Sequence, residues 1–252
     1  MKLNITRTVR RPLLLFRGLL MFRDWPLWLA HRFGLLKRSD VGTFRMRNGL
    51  TFTLDFSRNN PGVFQEVWLM DLYEKYYAIK SGDTVIDIGA SIGAFSVLAA
   101  SRGASVYAYE PTPRSFELLK QNVALYSNVK IFNLAVSGKR GSVTLEEAPG
   151  GDEGNTMLNS ASTRPHFSAS AITLADVFKE NGIRRCDLLK IDCEGAEAEI
   201  LEQTPQEIFE RVENIAMEYH KNAGRLIELL QVNYEIIETN GGDYGYMYAR
   251  KK

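Results

Sequence analysis

The chain has 252 residues, 45% of them hydrophobic and 24% charged, with a formal net charge of +1. That balance belongs to an ordinary globular protein able to bury a sizeable core, enough for one large α/β domain and a short extension. It gives no overall bias toward nucleic acid, and no stretch reaches the roughly 18 uncharged apolar residues of a spanning helix.

The charge is placed unevenly. Residues 1–40 hold nine Lys/Arg (Lys2, Arg7, Arg10, Arg11, Arg17, Arg23, Arg32, Lys37, Arg38) against Asp24 and Asp40, a local charge of +7. Interleaved with Leu, Phe and Trp, this segment is expected to touch an anionic membrane surface or a second subunit, or simply to cap the rest of the chain. It does not read as a signal peptide, because Arg17 and Arg23 interrupt the apolar runs and no small-residue cleavage site follows. Cys186 and Cys193 fit no zinc or redox spacing and make no disulfide framework. The expectation is a reduced, cytoplasmic protein with peripheral contact at the inner membrane face through residues 1–38, and with homo-oligomerisation open.

Residues 10–36 read as one or two helices broken near Pro26, and residues 43–55 as a hairpin around Asn48-Gly49. Residues 61–79 look helical, with Pro61 suited to a first turn. From residue 83 strands and helices alternate: a strand at Thr84–Ile88, a helix at Ile92–Ala100, a strand at Ser105–Tyr109, a helix at Arg114–Leu125 and a strand at Val129–Leu134. Residues 148–170, rich in Gly, Ser, Asn and Pro, read as a long loop, either a lid or a surface excursion. Alternation resumes with a helix at Leu174–Lys179, a strand at Leu188–Ile191 and a helix at Ala196–Glu202. A strand at Ile215–Glu218, a helix at Leu226–Val232 and strands at Tyr234–Ile237 and Tyr244–Ala249 complete it. Repeated βαβ units imply a mostly parallel sheet with right-handed crossovers. The expected division is an extension over 1–60 and a main domain over 61–252.

The informative stretch is "TVIDIGASIGAFSVLAA", residues 84–100. A strand ends in Asp87, glycines follow at Gly89 and Gly93, and a helix starts at once. Glycines allow the tight turn and the close approach of a ligand, and the helix start offers free N–H groups. The pattern is D-x-G-x-x-x-G, not G-x-G-x-x-G. An acid at the strand end repels a pyrophosphate and suits the ammonium of an amino-acid ligand. The next strand ends in Glu110, 21 positions after Gly89, where an acid accepts bonds from ribose hydroxyls.

With "YAYEPTPRSFELLKQNV", "NLAVS", "DLLKIDCEGAEAEIL" and "IAMEYH" following in order, residues 83–220 resemble the FkbM family of S-adenosylmethionine-dependent methyltransferases. The "KIDCEGAE" block is the most specific part, and Ser91 stands where the family usually has Asn. The resemblance implies a class I methyltransferase (Rossmann-like) fold, a mostly parallel seven-stranded sheet with helices on both faces, plus the N-terminal helical and hairpin extension. It implies S-adenosyl-L-methionine as cofactor, held by Asp87, Gly89, Ala90, Ser91, Gly93, Glu110, Pro111, Ala135 and Asp192, with Leu134-Ala135 near the adenine. It also implies O-methylation of sugar, glycan or natural-product hydroxyls.

Ligands of open α/β sheets sit beyond the carboxyl ends of the strands. Two ionisable clusters end strands there: Lys190, Asp192, Glu194 and Glu197, and then Glu218 and His220. O-methylation needs an aligned hydroxyl, removal of its proton and exclusion of water. His220, Asp192 or Glu194 are the candidate bases, and histidine has the most suitable unperturbed pKa. Asp192, at the strand tip, is the stronger site candidate, whereas plainer readings exist for the others: Glu194 favours a helix start, Lys190 pairs with an acid, and His220 is a loop residue. Asp192, Glu194 and Glu218 are donors suited to Mg²⁺, but nothing fixes their geometry and no metal is assigned. His166 reads as a surface residue, His31 as structural, and Cys193, flanked by acids, as no nucleophile. An N-methyltransferase, a non-catalytic domain of the same fold and a membrane-associated adaptor are the alternatives.

Overall fold

The computed structural model describes residues 5–35, 41–57, 60–146, 166–239 and 242–252. The chain divides into two compact units, Met1–Leu72 and Tyr73–Lys252.

The first unit contains α1 (Ile5–Met21), α2 (Trp25–Arg32), the hairpin β1 (Val41–Arg45) and β2 (Thr51–Asp55), and α3 (Asn60–Trp68). The break between α1 and α2 falls at residues 22–24, and Pro26 lies in the first turn of α2, where its missing N–H costs nothing. β1 and β2 pair antiparallel around the Asn48-Gly49 turn, as the sequence indicates. An aromatic core closes this unit: Phe22 meets Phe44 at 5.1 Å and Trp28 at 5.4 Å edge-on, and Phe52 meets Phe64 at 4.6 Å. Gly18 makes room for this, since a Cβ there would come within 2.4 Å of the Trp28 ring. Asp24 holds the hairpin through the Arg45 guanidinium and backbone N–H, and those bonds lower its pKa against the cost of burial. On α1, Leu13, Phe16 and Leu20 are exposed by 57–59%.

The helix expected over residues 61–79 ends at Trp68. Beyond it Asp71 takes a positive φ of 57°, which no helix continues through. Local side chains brace the irregular stretch that follows: Glu74 accepts from the Ile79 N–H, and the Tyr77 hydroxyl donates to Asp83.

The second unit is built on β3 (Thr84–Ile88), α4 (Ala94–Ser101), β4 (Ser105–Tyr109), α5 (Pro113–Asn122) and β5 (Val129–Phe132). There follow β6 (Ala135–Val136), β7 (Gly141–Glu146), β8 (His166–Ile172), α6 (Leu174–Asn181) and β9 (Leu188–Ile191). The chain continues through α7 (Glu197–Gln203), α8 (Gln206–Phe209), β10 (Asn214–Tyr219), α9 (Ala223–Leu230), β11 (Tyr234–Thr239) and β12 (Gly245–Lys251). Seven of these strands form one sheet in the order β11-β12-β10-β9-β3-β4-β5, parallel except for β12. β3, β4 and β5 run outward to one side and β9 and β10 lie on the other. The order therefore reverses between β3 and β9, where open α/β sheets bind ligands. Apolar residues of the central strands (Ile86, Leu189, Ile191, Met217) share one core with Leu174 and Phe178 of α6, Ile200 of α7 and Leu226 of α9.

Several expectations shift, among them the helix read over Leu226–Val232, which spans Ala223–Leu230. The helix read to Leu125 ends at Asn122, and Leu125 is 95% exposed. The strand read to Leu134 stops at Phe132, and Ala135 opens β6 instead. The loop read over 148–170 is a strand from His166 on: β8 pairs with β7 antiparallel and β6 parallel in a separate three-stranded sheet. His166 is exposed within it. The lid reading of residues 147–165 lies outside the described residues. A Thr173–Asp176 capping box then starts α6.

Candidate active site

The glycine stretch folds as its residue types dictate. Gly89 has φ 75° and Gly93 φ 83°, and Ser91 between them is also left-handed at φ 49°. Gly89 is irreplaceable on steric grounds: a Cβ would sit 1.7 Å from the Asp192 carbonyl oxygen. The Gly89 and Ala90 N–H groups both donate to the Tyr109 carbonyl at 3.0 Å, closing the turn over the end of β4. Gly93 caps α4, and the Val97 N–H donates to its carbonyl.

Glu110 directly follows β4 and is buried. One carboxylate oxygen accepts from the Ser91 N–H at 2.8 Å, the other from the Thr112 N–H at 2.7 Å. Pro111 follows it, half-buried, and Ala135 lies buried at the start of β6. Asp87 is fully buried beneath the glycine turn. Its oxygens meet Lys190 Nζ at 3.0 Å and Ser96 Oγ at 2.6 Å. Lys190 also donates to the Gly89 carbonyl at 2.6 Å. Burial opposes the charge on Lys190, but Asp87 and Asp192 outweigh it and hold the ammonium above its ordinary pKa.

Asp192 stands at the tip of β9, and its N–H donates to the Ile88 carbonyl, so it borders the glycine turn directly. Oδ2 accepts from the Tyr73 hydroxyl at 2.9 Å and lies 3.7 Å from Lys190 Nζ. Burial pushes its pKa up to about 7, Lys190 pulling down and Glu218 and Glu194 pushing up. Glu218, near the tip of β10, lies 3.3 Å from the same Tyr73 hydroxyl and accepts from the Tyr244 hydroxyl.

His220 follows β10. Its Nε2 lies 3.0 Å from Glu194 and its Nδ1 3.0 Å from Glu197, while Tyr244 packs edge-on against the ring. Burial works against a charged ring, yet the two carboxylates prevail and raise its pKa to about 10. Glu194 takes a left-handed φ of 55°, and Glu197 also accepts from the Gly195 N–H. Donor atoms of Asp192, Glu218 and His220 fall within 4.8 Å of one another. Both ring nitrogens of His220 already face carboxylates, so a cation there would have to displace Glu194 or Glu197 from the imidazole.

The sequence-predicted residues thus converge: Asp87, Gly89 to Gly93 and Glu110 at one part of the strand edge, Asp192, Glu194 and His220 beside them. Sequence reasoning missed Tyr73 and Tyr244, whose hydroxyls bind the two acids, because neither lies in a motif. Cys193 is half-buried beside Glu197 and Asp192, and its thiol pKa is pushed well above normal, as expected of an unreactive residue.

This sheet order, with a reversal at the glycine turn and one antiparallel strand, defines a class I methyltransferase fold. Residues 87–244 match the family model described as the methyltransferase FkbM domain. The chain belongs to that family. It is 26% identical to the methyltransferase sdnD of Sordaria araneosa, covering 64% of this chain and 75% of that protein. It is also 26% identical to the 31-O-demethyl-FK506 methyltransferase FkbM of Streptomyces tacrolimicus, covering 75% and 86%. The hexuronic acid methyltransferase AglP of Haloferax volcanii is 23% identical, covering 68% and 71%.

Proposed function

We propose that the chain is an S-adenosylmethionine-dependent O-methyltransferase acting on a hydroxyl of a sugar, glycan or natural-product-like acceptor, with Asp192 as its base. The observation that carries this is Asp192 itself: a carboxyl beside the glycine turn, with a pKa of about 7, can take a proton from a hydroxyl near neutrality. Relatives named for 31-O-demethyl-FK506 and for hexuronic acid support a small-molecule or sugar acceptor.

The residues fit the cofactor. Glu110, held at the end of β4 by the Ser91 and Thr112 N–H groups, would accept from the ribose hydroxyls. Pro111 and Ala135 would border the nucleoside, and the turn through Ala90, Ser91 and Gly93 would hold the amino-acid portion. Asp87, already paired with Lys190 and Ser96, braces this turn from beneath. When bound, S-adenosylmethionine supplies an electrophilic methyl on a sulfonium. His220, paired on both nitrogens and protonated at neutral pH, is a fixed cation that orients Glu194 and Glu197 and cedes the base role to Asp192.

Labelled methyl donor offered with glucuronic acid, glucose and a hydroxylated macrolactone tests the reading. We expect label on oxygen, and Asp192→Asn to lose on the order of 10²–10⁴ in rate while still binding S-adenosylhomocysteine. Label on nitrogen, or undiminished turnover in the variant, overturns it.

A peripheral role for α1 joins this reading. Leu13, Phe16 and Leu20 recur at helical spacing on an exposed face, and the segment carries +7. That pairing suits the surface of an anionic bilayer. No helix among the described residues is long and apolar enough to cross one. Flotation with phosphatidylserine vesicles should capture the protein at low salt, and Phe16→Ser with Leu20→Ser should release it. Absence of capture at every salt concentration refutes this contact.

A further inference from the structure

Each methyl transferred from a sulfonium to a hydroxyl releases one proton, and the base must lose that proton before the next turnover. We propose that Tyr73, Glu218 and Tyr244 form the exit path for the proton taken by Asp192. The inference rests on the O-methyltransferase reading above.

The geometry is a chain of alternating carboxyls and phenols. The Tyr73 hydroxyl lies 2.9 Å from Asp192 Oδ2 and 3.3 Å from Glu218 Oε2. The Tyr244 hydroxyl donates to the other Glu218 oxygen, Oε1. Tyr73 and Glu218 are buried, whereas Tyr244 is 57% exposed. The path therefore begins at the base and ends at the surface without a gap.

Proton counting argues that this is more than packing. A phenol carries one hydrogen and can donate to one carboxylate at a time. With Tyr73 between two acids at 2.9 and 3.3 Å, one hydrogen serves both only as a shared, weakened bond, and a proton on either acid lets that acid donate to the phenol oxygen instead. The trio of Asp192, Tyr73 and Glu218 is thus built to hold one extra proton, in either of two places. The Tyr73 ring is fixed for this task by Phe95 edge-on at 5.4 Å and by Lys190 Nζ at 5.1 Å from its centroid.

The transfer balances. The acceptor O–H bond breaks as the O–CH₃ bond forms, and its proton goes to Asp192. A half-turn of that carboxyl about the bond to its methylene presents the O–H to Tyr73. Tyr73 accepts it and gives its own hydrogen to Glu218 Oε2. After the same half-turn Glu218 passes a proton to Tyr244, which releases one to water. Each residue returns to its starting state, and no oxidant or co-reactant is consumed.

Two measurements test the path. Infrared titration of the protein without acceptor should show a carboxylic acid band persisting to near neutral pH, absent in Asp192→Asn and shifted to higher frequency in Tyr73→Phe, which loses the hydrogen bond. With glucuronic acid as acceptor probe, Tyr73→Phe should lower kcat about tenfold or more with both KM values unchanged, and imidazole in the buffer should restore part of the loss. Tyr244→Phe, at the exposed end where folding is not at stake, should show a smaller, equally rescued loss. An unshifted band in Tyr73→Phe, or wild-type kcat in both phenylalanine variants alongside an inactive Asp192→Asn, overturns the path alone. Wild-type turnover in Asp192→Asn overturns the base assignment and the path together.

Discussion

His220 offers a direct test of the site's electrostatics. Its ring lies between Glu194 and Glu197, each 3.0 Å away, and its pKa rises from 6.5 to about 10. Because the folded value exceeds the unfolded one, the stability this confers is fully present below about pH 6.5 and is lost as pH climbs through about 10. At about 1.36 kcal/mol per unit, the shift corresponds to an upper limit of roughly 4–5 kcal/mol. His220→Gln leaves two partly or fully buried carboxylates facing each other without a cation. We expect it to destabilise the fold by about 3 kcal/mol at pH 7, a magnitude typical of a broken buried pair. Urea unfolding of wild type and variant across the pH range reads the difference, which should shrink steadily above neutrality. Direct titration of the imidazole by NMR reads the pKa. A ring that titrates near 6.5, or a variant whose deficit ignores pH, refutes the clamp and returns His220 to candidacy as the base.

Other expectations are simpler. Glu110→Ala should weaken S-adenosylhomocysteine binding by about 1–3 kcal/mol in isothermal titration, since bonds to charged groups are worth that much; unchanged affinity removes the ribose assignment. Gly89→Ala should abolish cofactor binding and lower Tm, because its Cβ would fall 1.7 Å from a backbone oxygen that no rotamer can move; a variant with wild-type Tm contradicts the described turn.

Much of the fold was legible because period and punctuation agreed. β3, β4 and β9 fall at the boundaries that apolar runs and flanking glycines mark. The side sheet was not, because "HFSAS" has the Ser/Ala content of a loop and gains its strand character only by pairing with β7. Residues 69–79 misled in the opposite sense. Leu69, Tyr73, Tyr76 and Tyr77 recur at helical spacing, but Tyr73 and Tyr77 instead direct their hydroxyls at Asp192 and Asp83. The site divided along the same line. Motifs named Asp87, Gly89, Glu110 and Asp192, which lie next to glycines or at strand tips. Partnerships spanning 119 residues, such as Tyr73 with Asp192, leave no local mark. The partners of His220 leave no local mark either: Glu197 is 23 residues away in sequence and reaches the ring only once β10 lies in place.

The position of β12 bears on how the chain acquires its structure during synthesis. β11 has β12 as its neighbour in the sheet, and β12 lies between β11 and β10. A nascent chain that has extruded β11 therefore has no partner strand to offer it until residues 245–251 follow. The outermost strand must wait for a later one to intercalate ahead of it. Domains begin to collapse as they emerge from the ribosome, yet here β10 keeps an open edge until the final insertion. Such an edge invites pairing with other chains. Between the emergence of β10 and the docking of β12, that edge stands open to strands of other chains.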